Sequence, residues 1–141
     1  MPWKYFSDEE MTCHCGCDEM AMDEGFMRVL LELREVFGTP LPVTSGFRCW
    51  KHEQQLYSIP DDRIESARES PGHYHTKGLA ADISLWRMET HRIHRLLEHV
   101  FGVAFGFPGV GIKLHGPREN RILHLDIGDD EGVRPAVWTY V

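Results

Sequence analysis

Three side chains stand at spacings that could hold a divalent metal ion. His75 and Asp82 bound the stretch His-Thr-Lys-Gly-Leu-Ala-Ala-Asp, and His124 lies in Ile-Leu-His-Leu-Asp. His75 sits in a polar, glycine-flanked loop, whereas Asp82 falls inside the small apolar run 79–83. A carboxylate at such a position is costly to bury unless something pairs with it. A divalent metal is one such partner, and zinc is the first-row metal suited to mixed histidine and aspartate ligands. His124 and Asp126 are two apart and therefore share one face of a strand, as Ala80, Asp82 and Ser84 share a face of an earlier one. If the two strands are neighbours, Asp82 and His124 meet across the sheet and His75 closes over them from its loop. Three ligands with one position left for water are the pattern of a catalytic zinc, not of a closed structural one. Asp126 is then placed to accept a ring N–H from a ligand or to orient the next loop. The alternative, on spacing alone, is a polar strand face with no metal.

The elements that must position these residues follow from local patterning. Ser7, with Glu10 three residues later, reads as a capping box for a short N-terminal turn. Asp23 opens a helix with apolar residues at Phe26, Val29, Leu30, Leu33 and Val36, and Gly38-Thr-Pro stops it. Residues 41–48 read as a strand that ends at Gly46 and delivers Arg48 at its exit. A second helix is expected over 50–57, where Glu53-Gln-Gln-Leu suits one. Residues 58–73 are polar and turn-rich, the expected flexible loop immediately before His75. Residues 79–85 should form a central strand. A helix over 88–101 carries Ile93, Leu96, Leu97 and Val100 on one side, and its His91, His94 and His99 fall off that stripe onto a solvated face. Residues 109–115 and 122–128 read as a hairpin joined by a polar loop, and the tail 133–141 packs Trp138 and Tyr140 onto the body.

Composition narrows the classes. A chain of 141 residues is most simply one domain, 1–141, with a core of its own, and a monomer is the expectation. A net charge of −7 argues against a nucleic-acid surface, which would show a basic stripe. No apolar run approaches the ~20 residues of a membrane span. The N-terminus has no apolar signal core, so synthesis in the cytoplasm and a reducing compartment are the default. The four cysteines, Cys13, Cys15, Cys17 and Cys49, lack the Cys-x-x-Cys spacing. Three readings stand open, in this order: packed free thiols, one disulfide to Cys49, or a second, thiolate-bound zinc.

Ser-Gly-Phe-Arg at 45–48, then His75-x-x-Gly78-x-Ala80-x-Asp82, then His124-x-Asp126, resemble the peptidase M15 family. Phe6…Glu10-Met-Thr-Cys-His-Cys-Gly-Cys also resembles the opening of one of its subgroups, so the likeness runs from Phe6 to Asp126. The family comprises zinc D-Ala-D-Ala carboxypeptidases and related peptidoglycan peptidases that share a fold with the hedgehog signalling domain. The resemblance implies an α+β fold with a small, mostly antiparallel sheet and helices packed on one face. It implies that His75, Asp82 and His124 bind Zn2+, and that Arg48 anchors a substrate carboxylate or polarises the scissile carbonyl. A guanidinium is independently the natural bidentate partner of a terminal carboxylate. The chain departs from the family twice. His73 stands where many members carry serine; it competes with His75 as a ligand, but the His-x-x-Gly-x-Ala-x-Asp spacing selects His75, which leaves His73 as a loop or substrate-contacting residue. Arg121 stands three residues before His124, where several branches place the general base. Another branch uses the position five before, here Glu119, and His115 at the other end of that loop is the alternative. The expected substrate is a peptidoglycan stem peptide, cut at the cell wall by a phage lysis or virion-associated enzyme. The competing expectation, favoured by Arg121, is a hedgehog-like zinc domain without catalysis.

Overall fold

The computed structural model describes residues 3–102, 107–128 and 135–140. Five strands, β1 (Val43–Ser45), β2 (Ala80–Ser84), β3 (Gly109–Lys113), β4 (Ile122–Asp126) and β5 (Ala136–Thr139), form one sheet in the order β1-β2-β4-β3-β5. All neighbours are antiparallel except β3 and β5, which run parallel. The helices are α1 (Asp8–Met11), α2 (Glu24–Phe37), α3 (Trp50–Tyr57), α4 (Ile64–Glu69) and α5 (Thr90–Phe101). The expected α+β fold with a mostly antiparallel sheet is present.

Strand alternation divides the sheet into two unlike faces. Ala81, Ile83, Val110, Leu123 and Leu125 join one hydrophobic cluster with Phe26, Leu30, Leu33 and Phe37 of α2 and Leu96 and Val100 of α5. Each fully buried leucine or phenylalanine there contributes about 1.5–3 kcal/mol relative to exposure. The opposite face carries Asp82, His124 and Asp126 together with Gly109 and Gly111. The two long helices therefore hold the sheet from the apolar side and leave the polar side to loops and to α3.

Local chemistry explains the main helix. The Asp23 carboxylate accepts the Phe26 N–H at 2.9 Å, and Gly38 ends the helix in the left-handed region at φ 81°. One expectation fails here: Val36 is 52% exposed, while Phe37 is buried. The buried stripe runs 26-30-33-37, which places residue 36 on its outer flank.

The stretch 58–73 is also corrected. It holds a 3-10 turn at Asp61–Arg63 followed by α4, not an extended flexible loop. Its Glu65, Ala67, Arg68 and Glu69 are good helix formers, so a largely exposed short helix replaces the expected loop. The helix stops at Ser70, whose backbone is extended at φ −77°, ψ 154°, as a residue before proline prefers.

Two connections aim the chain at the polar face. A register shift between Val43 and Ser45 places Ser45 opposite Asp82. Gly78 adopts φ 70°, and an added Cβ would strike the Ala21 carbonyl, so only glycine fits where the chain turns from His75 into β2. The tail is not merely packed on the body: residues 136–139 extend the sheet as β5, while its ends Val133 and Val141 lie outside the described residues. Among the described residues no helix is long and apolar enough to cross a membrane.

Candidate metal centre

Asp82 and His124 are register partners across β2 and β4. Asp82 Oδ1 lies 2.9 Å from His124 Nδ1 and 3.3 Å from His75 Nε2. The three ligand atoms fall within 4.8 Å of one another, and all three residues are buried. His75 comes from a 3-10 turn, Tyr74–Lys77, outside the sheet. Its backbone carbonyl accepts the Arg48 N–H at 3.1 Å, which ties that turn to the arm leaving β1.

Each imidazole has a partner that fixes its orientation. His75 Nδ1 is 2.8 Å from the Gly46 carbonyl, to which it donates, so the ring is held with Nε2 turned towards Asp82. His124 Nε2 is 2.9 Å from Asp126 Oδ2, and Asp126 Oδ1 accepts the Gly128 N–H at 3.0 Å. Asp126 is fully buried and is thus the carboxylate that sets His124 with Nδ1 facing Asp82. Tetrahedral zinc with bonds of ~2.0–2.1 Å needs ligand atoms ~3.3 Å apart, close to the spacing present. Two imidazoles with outer partners and one carboxylate are a donor set that fits zinc.

The electrostatics are those of a charged site before an ion enters. Burial alone would lower His124, but hydrogen bonds to Asp126 and Asp82 and their negative charges outweigh it and raise its pKa to about 9. Burial alone would raise Asp82, but the charge of His75 and bonds from His124 and His75 hold it well below the usual carboxylate range.

These residues line a cavity of about 330 Å³ shared with Arg48, Glu53, Tyr57, His73, Trp138 and Tyr140. Arg48 is 7% exposed; its Nη1 donates to Glu53 Oε1 at 2.7 Å and its Nη2 to Ser45 Oγ at 3.0 Å. Its Nε is buried with no partner among the described residues, so the terminal nitrogens alone hold the head. Glu53, 2% exposed, also meets His73 Nδ1 at 2.7 Å through Oε2. Trp50 and Tyr57 flank the His73 ring at 5.2 and 6.0 Å, and His73 itself has a left-handed backbone at φ 53°. Burial, and then the Asp82 charge, push the Tyr140 phenol up to about 12, so it stays a hydrogen-bond donor.

Two glycines of β3 make room for this side of the site. A Cβ at Gly109 would strike the Asp126 carboxylate, and one at Gly111 would strike the Trp138 indole. That indole then lies 5.3 Å from the His124 ring, which is itself 5.2 Å from His75.

Of the residues singled out in the sequence, His75, Asp82, His124, Asp126, Arg48 and His73 are brought together. Glu119 and His115 are not. Glu119 is exposed on the 3-10 turn Arg118–Asn120 and is absent from the cavity lining. His115 is exposed and lies 2.7 Å from the Tyr140 carbonyl through Nε2, so it braces the backbone of a lining residue. Arg121 turns its Nε and Nη2 to the Gly116 carbonyl at 3.2 and 3.1 Å and closes the hairpin loop. Glu53 and Tyr57 went unnoticed in the sequence, where α3 showed only helix propensity. The signal that could have found Glu53 is the need of a buried Arg48 for a counter-charge, with Glu53 an acid five residues after it.

A family model described as Peptidase M15 matches residues 4–125. No curated protein and no solved structure matches the chain. The matched span contains the metal-ligand candidates, the Arg48–Glu53 pair and strands β1 to β4 as far as Leu125, and stops short of β5. The chain belongs to the peptidase M15 family, whose members are in general zinc-dependent peptidases.

Proposed function

We propose that this peptidase hydrolyses peptide bonds of peptidoglycan stem peptides with one zinc ion at His75, Asp82 and His124, as a D-Ala-D-Ala carboxypeptidase or an endopeptidase acting at the cell wall. The observation that carries the reading is the three-donor cluster on the wall of a cavity that also holds Arg48. When bound, zinc in such a site supplies a Lewis acid and an acidified water.

The protein's own groups supply the rest. His75 is held by Gly46 and His124 by Asp126, so the donors are set before substrate arrives. Arg48, positioned by Glu53 and Ser45, keeps further N–H groups for a substrate carboxylate or for the oxygen that gains charge. Tyr140 adds a neutral donor beside that cation in the same space. The general base is assigned between two groups. Glu119 matches a family position but sits on an exposed turn outside the lining. His73 lines the cavity, and with Nδ1 donating to Glu53 its Nε2 is left to take a proton, the arrangement of a histidine oriented by a carboxylate. The geometry favours His73.

The competing reading, a zinc-binding domain without catalysis, draws on Arg121, which serves the hairpin loop at a position where relatives carry a base. Zinc-loaded protein incubated with purified stem pentapeptides, followed by mass spectrometry, separates the two. Loss of a terminal alanine marks the carboxypeptidase and an internal cut the endopeptidase. Intact peptides with zinc still bound leave the non-catalytic domain. In the same assay, a His73→Ala variant that retains zinc and loses turnover, beside an active Glu119→Ala, assigns the base.

A further inference from the structure

Nothing in the peptidase reading uses the cysteines, yet the fold gathers all of them. Cys13, Cys15 and Cys17 come from one loop, closed by the Cys13 N–H to the Glu19 carbonyl at 2.9 Å and turned by positive φ at Gly16 and Asp18. Cys49 arrives from 34 residues beyond Cys15, as the residue that caps α3. Cys15 Sγ lies 3.6 Å from Cys13 Sγ and 3.5 Å from Cys49 Sγ. All four sulfurs are within 4.8 Å of one another, and all four are free. The edge of a tetrahedron with ~2.3 Å zinc–sulfur bonds is ~3.8 Å, so these sulfurs enclose one ion and leave no space for a cluster of several.

Backbone N–H groups point at three of the four sulfurs. The Cys49 N–H donates to Cys13 Sγ at 3.3 Å, the His52 N–H to Cys49 Sγ at 3.4 Å and the Glu19 N–H to Cys17 Sγ at 3.4 Å. Backbone donors aimed at the ligand atoms are what orient and stabilise a metal-bound thiolate. Packing alone does not account for the group, because Cys15 and Cys17 are exposed.

We propose that Cys13, Cys15, Cys17 and Cys49 hold a second zinc ion in a closed four-thiolate site. Four thiols lose their protons to solvent, four sulfur–zinc bonds form, and the bound unit carries two negative charges. No position remains for substrate, so the ion is structural. What it braces follows from the chain: Cys49 directly follows Arg48 and starts the helix that carries Glu53. The ion pins the N-terminal loop to the arm that positions the Arg48–Glu53 pair. This holds whether or not the cavity hydrolyses peptides.

Native mass spectrometry of the protein purified under reductant tests it. Two zinc ions per chain are expected, one remaining in His75→Ala and one remaining in the double variant Cys15→Ser/Cys17→Ser. Cobalt in place of zinc should show thiolate-to-metal charge-transfer absorption in His75→Ala. Should the cysteine variant fail to fold, the wild-type count and the His75→Ala cobalt spectrum decide alone. A single ion that His75→Ala removes entirely overturns the proposal, as does a reductant-free mass two hydrogens low with no second ion.

Discussion

Asp82 and His124 face each other across two central antiparallel strands, with Oδ1 2.9 Å from Nδ1. That relationship is set by register, not by side-chain reach: a slip of one residue would turn one of the two into the hydrophobic cluster. Leu123 and Leu125, fully buried on either side of His124, make such a slip costly. The apolar face therefore fixes the geometry of the polar one, and the metal donors inherit the rigidity of the sheet.

Asp126 should matter through His124. It touches no cavity space, but it accepts the Nε2–H that leaves Nδ1 for the ion. Asp126→Asn should weaken zinc binding by about 10–100-fold, the usual loss when a ligand's outer partner is altered. Competition with a zinc chelator measures it, and unchanged affinity would remove Asp126 from this role.

The pH dependence follows from His124. In the metal-free protein its pKa rises to about 9 from an ordinary 6.5, so it contributes stability that is fully present below 6.5 and is lost as pH climbs through 9. Asp82 acts in the opposite sense: its contribution is present above the ordinary carboxylate value and is lost in acid, below that value. Zinc must displace one proton from His124, so zinc affinity should rise up to tenfold per pH unit from this group until about pH 9. Denaturant melts of metal-free protein and zinc titrations at several pH values give the two opposed slopes.

Glu53 is a buried anion shared by Arg48 and His73. Glu53→Ala leaves the Arg48 guanidinium buried without its counter-charge, which should cost about 3–5 kcal/mol. Replacing both partners with apolar residues of similar size, Arg48→Met with Glu53→Leu, should recover much of that stability while abolishing turnover. Urea unfolding of the single and double variants reads the coupling directly.

Much of this was legible beforehand because its signals are periodic. Two-residue alternation placed Asp82 with Ser84 and His124 with Asp126, and the two strands are neighbours as expected. What escaped was carried by contacts far apart in sequence. Nothing local in Trp50–Tyr57 says that Glu53 turns to Arg48, or that Tyr57 reaches the cavity. Trp138 and Tyr140 read as packing residues, because their place over the site depends on a parallel β3–β5 pairing and on the missing side chain of Gly111. The stretch 58–73 misled because polarity is shared by loops and by exposed short helices. Cysteine spacing left three readings open, since proximity of Cys49 to the 13–17 loop is a tertiary fact.

The most direct test of the centre is zinc added back to metal-free protein while hydrolysis of a stem peptide is followed. Turnover should be absent without metal, rise in proportion to the ion bound at His75, Asp82 and His124, and disappear in Asp82→Ala. Turnover that survives chelation, or an Asp82→Ala variant that keeps the wild-type rate, would contradict the assignment.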